Sequence, residues 1–111
     1  IGGFFEDTGY ILDPHSAVAV SAADAYIGSD EIPIVTVCTA SPYKFVGSVL
    51  EAIGESVPKS TIKALEKLEN ETALPLPESL KELETLEKRF TGVVGRDGIE
   101  GVVMKYAKER A

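Results

Sequence analysis

Hydrophobic and polar positions follow different rules on the two sides of Gly54. Before it, apolar residues run in nearly continuous blocks. Asp13-Pro14 opens a helix, since aspartate accepts from the free amides of a first turn and proline is pre-set for its first position. From Ala17 to Tyr26 the residues are mostly Ala and Val, with Asp24 the only charge. Small apolar residues all round predict a helix covered on several sides, stopped by Ile27-Gly28-Ser29-Asp30. Ile34-Val35-Thr36-Val37-Cys38 is a continuous, largely β-branched run, the pattern of a strand covered on both faces in a parallel sheet. Ser41-Pro42 repeats the opening seen at Asp13-Pro14. Phe45, Val46, Val49, Leu50 and Ile53 then lie on one stripe of a second helix. Helix, strand, helix is one slice of an α/β layer structure, and a lone strand needs partners from elsewhere.

After Gly54 the pattern becomes amphipathic. Lys59 to Asn70 carries Ile62, Leu65 and Leu68 on one face, among Lys and Glu. Ala73-Leu74-Pro75-Leu76-Pro77 reads as an extended connector, because each proline pushes the preceding residue out of helical geometry. Glu78 to Arg89 repeats the amphipathic design with Leu80, Leu83 and Leu86, and Phe90 to Val94 fits a short strand. Asp97, with Glu100 three residues on, caps a last helix bearing Ile99, Val102, Val103 and Tyr106. Lys105, Lys108 and Arg110 sit where the helix dipole favours cations. The expected fold is α/β and helix-rich, with one or two strands.

Charge narrows the class of partner. The net charge is −7, of which residues 1–54 hold −6, with Lys44 the sole base there. An acidic chain without a basic patch is a poor phosphate-backbone binder, so no nucleic acid is expected. No apolar run is long enough to span a bilayer and no secretory signal pattern opens the chain, so no membrane is expected and the reading is cytoplasmic. The start at Ile1-Gly2-Gly3 suits a piece of something longer. A single cysteine and a single histidine make neither an internal disulfide nor a metal site.

Few residues could carry chemistry. Thr39 follows the expected strand directly, and in open α/β sheets ligands sit beyond the carboxyl ends of strands. From position alone, Thr39 is equally a cap for the next helix. His15, in the first turn of the first helix, is read as a packing or capping group and not as a catalytic base. Lys44 is expected to pair with nearby carboxylates, and Cys38 to be an inert buried thiol. Thr91 to Gly98 is glycine-rich, but its spacing matches neither dinucleotide nor nucleotide loops, and Asp97 would repel phosphate. It reads as a turn before the last helix.

Gly9-Tyr10-Ile11-Leu12-Asp13-Pro14-His15-Ser16-Ala17-Val18 and Thr39-Ala40-Ser41-Pro42-Tyr43-Lys44-Phe45, at this order and distance, resemble the C-terminal part of threonine synthase. That family uses pyridoxal 5'-phosphate (PLP) and has the tryptophan-synthase-like fold. The resemblance implies that residues 1–54 end the PLP-binding α/β domain and that residues 55–111 form a C-terminal helical segment packing on it. It further implies that the chain is a piece of an enzyme making threonine from O-phosphohomoserine and water, a lyase whose Schiff-base lysine and phosphate loop lie upstream. The piece alone would be inactive, and its partners would be the rest of the same polypeptide and the substrate. By the same resemblance, Thr39 is the threonine expected to hydrogen-bond the pyridine nitrogen of PLP, and Lys44 is not the PLP lysine. A structural or substrate-side role is also implied for His15. The commonest family pattern is T-A-H-P-A-K-F, so Ser41 and Tyr43 are departures, and any role of that histidine does not transfer. Two other readings remain open: another PLP lyase of the same fold group, and a non-enzymatic module whose Leu-rich helices serve a partner.

Overall fold

The computed structural model describes residues 1–26, 32–89 and 91–109. Helix α1, Gly2–Thr8, was not foreseen from the sequence. It ends on Gly9, whose left-handed φ of 71° lets its amide reach the Phe5 carbonyl at 2.8 Å. Gly2 sits against the Ala52 carbonyl so closely that a Cβ would collide with it. Helix α2, Pro14–Tyr26, starts where the sequence places it, and its predicted stop lies outside the described residues. A 3-10 turn, Pro42–Phe45, runs into α3, Val46–Ala52. Helix α4 spans Thr61–Thr72, a two-residue shift from the expected bounds. Helix α5, Glu78–Lys81, continues as a 3-10 turn, Glu82–Glu84. A turn at Arg96–Gly98 leads into α6, Ile99–Glu109.

One core holds α3, α4 and their neighbours together. Val49 and Leu50 of α3 and Ala64, Leu65 and Leu68 of α4 are buried with Ile11, Tyr43 and Leu76. The stripes read from the sequence therefore face each other across the α3–α4 contact. Phe5 of α1, Leu74 of the connector and Leu80 of α5 close its edges. Lys67 clamps the loop before α4, with its Nζ 2.8 Å from Glu55 and 3.0 Å from the Ser56 carbonyl.

The connector after α4 is fixed by hydrogen bonds rather than by its prolines alone. Ala73 takes a left-handed φ of 53°, Leu76 N–H donates to Glu69 at 2.8 Å, and Tyr43 O–H donates to the Leu74 carbonyl at 2.5 Å.

Four expectations fail. Residues 34–38 belong to no strand; Val35 and Val37 are 81% and 74% exposed. A strand is held by a neighbour's backbone groups, and no second strand exists among the described residues. For the same lack of cover, Val18 and Tyr26 of α2 are exposed, although its small residues predict burial. Residues 91–94 form no strand, and Phe90 lies outside the described residues. The helix expected from Glu78 to Arg89 leaves α-helical geometry after Lys81. Leu80 reaches the core, but Leu83 and Leu86 find nothing to pack on, and Glu78 and Glu82 repel at helical spacing. The expected helix-rich character holds, while none of the one or two expected strands forms among the described residues. The radius of gyration is 19.5 Å, against roughly 13 Å for a compact domain of this length. Helix α2, segment 32–39 and α6 contribute no residue to the core.

Candidate functional site: two motifs joined at His15 and Phe45

The two sequence motifs meet in space. Asp13 is only 1% exposed, and its carboxylate caps α2 by accepting from the His15 amide at 3.0 Å and from the Ser16 amide at 3.5 Å. The Ser16 hydroxyl also donates to it, and His15 Nδ1 lies 3.2 Å away. These bonds, the Ser16 hydroxyl foremost, outweigh the opposing effect of burial and hold the Asp13 carboxyl below its usual range. The His15 ring is itself 73% exposed and leans on Phe45, with centroids 4.9 Å apart and planes at 58°. Phe45 closes the second motif, so residues thirty apart in sequence share one contact.

The second motif is rigid at its helix end and free at its start. The Ser41 hydroxyl accepts from the Tyr43 amide at 3.3 Å, capping the turn that Pro42 opens. Tyr43 is buried, and desolvation, with the Glu69 charge adding to it, pushes its phenol up to about 12. Both departures from the commonest motif therefore have structural work here. Ser41 caps and Tyr43 fills the core. Thr39 sits at the exposed end of the extended segment, and its hydroxyl makes no hydrogen bond among the described residues.

Three expected roles are corrected. Lys44 makes no ion pair among the described residues; its ammonium lies 5.7 Å from the Phe45 ring centroid instead. Cys38 is exposed, because the strand meant to bury it is unpaired. Asp97 lies in the turn before α6 without acting as a side-chain cap.

The Thr39 hydroxyl is a free donor suited to a pyridine nitrogen, and the lysine of the motif points its charge at Phe45. Among the described residues no glycine-rich turn adjoins Thr39 to cradle a phosphate.

The family described as threonine synthase, C-terminal, matches residues 16–103. The chain belongs to this family. Threonine synthase of Saccharomyces cerevisiae is 37% identical over 84 residues, covering 73% of this chain and 14% of that protein. Threonine synthase of Pseudomonas aeruginosa is 37% identical over 78 residues, or 68% of this chain and 17% of the relative. Threonine synthase-like 1 of Mus musculus is 34% identical over 74 residues, 66% of this chain and 10% of the relative. The matched part thus spans less than a fifth of these relatives' lengths. No solved structure matches the chain. The threonine synthase match includes Thr39 and the whole second motif, and it extends through α4 and α5 into α6. No helix among the described residues is long and apolar enough to cross a membrane.

Sequence reasoning missed three supports of this site. Ser16 was readable, being three residues after a cap aspartate, where a hydroxyl can return to it. Tyr43 follows Ser-Pro at a turn, but nothing local announces its partner at Leu74. The service of Glu69 to the connector is likewise a tertiary fact.

Proposed function

We propose that this chain serves, within a longer polypeptide, as the C-terminal part of a PLP-dependent threonine synthase. The reaction is conversion of O-phospho-L-homoserine and water to L-threonine and phosphate. The observation that carries this reading is the family match over 16–103, which holds Thr39 within its motif. In this reading residues 34–38 become a strand of a tryptophan-synthase-like sheet whose other strands come from upstream. Residues 1–54 end the PLP-binding domain and residues 55–111 pack on it. The exposed β-branched side chains of residues 34–37 suit the strand role.

When bound, PLP supplies an electron sink for chemistry at the substrate's carbons. Thr39 is the residue of this chain that would hold it, donating its hydroxyl to the ring nitrogen. A neutral donor orients the ring without adding charge. Ser41 and Pro42 anchor the turn that follows Thr39 to the core through Tyr43. The 111 residues alone are inactive in this account, having neither a cofactor lysine beside Thr39 nor a phosphate cradle. Incubating the full-length protein with O-phosphohomoserine and PLP tests the proposal. Threonine and phosphate should appear in equal amounts; no threonine from well-folded, PLP-loaded protein refutes it.

A further inference from the structure

Between helix α4, the connector and α5 lies a cleft of about 220 Å³ that shares no lining residue with the two motifs above. Its floor is apolar: Leu65 and Leu76 are buried, and Ile62 and Leu80 pack partly against the same core. Its rim carries both signs of charge. Lys81 Nζ lies 3.8 Å from Glu69, and the same Glu69 oxygen accepts the Leu76 amide at 2.8 Å. Glu69 is thereby held in place with its charge answered. Glu66 and Glu84 also line the cleft, with no ion pair or hydrogen bond among the described residues. Pockets for drug-sized ligands begin at roughly 300 Å³, so this one suits a smaller molecule.

We propose that this cleft binds a free aliphatic α-amino acid of the size of leucine. Each part of such a ligand meets its complement. The branched hydrocarbon lies on the floor of Ile62, Leu65, Leu76 and Leu80. The Lys81 ammonium takes the α-carboxylate, and Glu66 and Glu84 take the α-ammonium. Charge-assisted hydrogen bonds over an apolar floor are stronger than the same bonds in bulk water. A phosphate-bearing ligand would be opposed by three carboxylates, and a purely apolar one would gain nothing from the rim. Little has to rearrange on binding, because the floor belongs to the core and Lys81 is already drawn over the cleft by Glu69. That ion pair is long and half-exposed, so sharing the ammonium with a second carboxylate costs little. The site stands on the cleft itself and does not depend on the threonine synthase reading.

Calorimetric titration of the full-length protein with L-leucine should show saturable binding at millimolar concentrations or below. Isocaproate, which lacks the ammonium, and isoamylamine, which lacks the carboxylate, should each bind at least about tenfold more weakly. Lys81→Met keeps the stem of the side chain and should weaken L-leucine about tenfold while leaving isoamylamine unchanged. Glu66→Gln combined with Glu84→Gln should weaken both L-leucine and isoamylamine and spare isocaproate. In methyl spectra, L-leucine should shift the signals of Ile62, Leu65, Leu76 and Leu80. Isoamylamine binding as tightly as L-leucine would overturn the proposal in favour of a plain cation site. So would unchanged L-leucine affinity in a well-folded Lys81→Met protein, methyl shifts confined to residues outside the cleft, or no saturable binding. A protein that makes no threonine but passes these tests would leave the proposal standing.

Discussion

Replacing Tyr43 by Phe keeps the ring in the core and removes one hydroxyl, which donates to the Leu74 carbonyl at 2.5 Å. Leu74 is half-buried, so water can reach its carbonyl in part. The cost should therefore fall at the low end for a lost hydrogen bond, about 1 kcal/mol. Because that bond pins the connector, the loss should appear locally. The Leu76 amide, which donates to Glu69 in the same connector, should exchange with solvent about fivefold faster. The phenol gives a second check. Its value is raised from 10.0 to about 12, chiefly by burial and then by Glu69. A raised value stabilises the fold fully below pH 10, and that contribution is lost as pH rises toward 12. Tyr43→Phe should abolish this alkaline loss and remove the late-titrating phenol from an ultraviolet titration. Unchanged exchange at Leu76, together with an unchanged alkaline unfolding midpoint, would refute the reasoning.

Asp13→Ala should cost about 1 kcal/mol in stability by removing the cap of α2, read by denaturant unfolding. Since the Asp13 carboxyl lies below its usual range, the wild-type advantage should hold above pH 3.8 and shrink as pH falls below it; an advantage constant through acid would contradict this. Cys38 should react with a thiol reagent quickly in the 111-residue chain and more slowly in the full-length protein, where 34–38 is proposed to pair. Equal rates would contradict that pairing.

Local rules were enough for α2, α3, α4 and α6, because cap residues and apolar stripes announce a helix from within its own sequence. They failed where structure depends on distant cover. Ile34 to Cys38 has the composition of a buried strand, yet composition cannot supply a neighbour to pair with. Leu83 and Leu86 have helical spacing but no surface to meet. In the candidate site, the capping roles of Asp13 and Ser41 were legible because each is read within a few residues. The meeting of His15 with Phe45 and the bond from Tyr43 to Leu74 were not, since both join segments about thirty residues apart. Helix α1 escaped notice because its Gly2-Gly3 start carries no cap side chain and disfavours helix on propensity.

The account turns on Thr39 as this chain's contribution to cofactor binding. Thr39→Val in the full-length enzyme keeps the shape of the side chain and deletes its one hydroxyl. Titrating apo-enzyme with PLP should then show affinity weakened by a factor corresponding to about 1–3 kcal/mol, the range for a buried hydrogen bond. Wild-type PLP affinity in a well-folded Thr39→Val enzyme would contradict it.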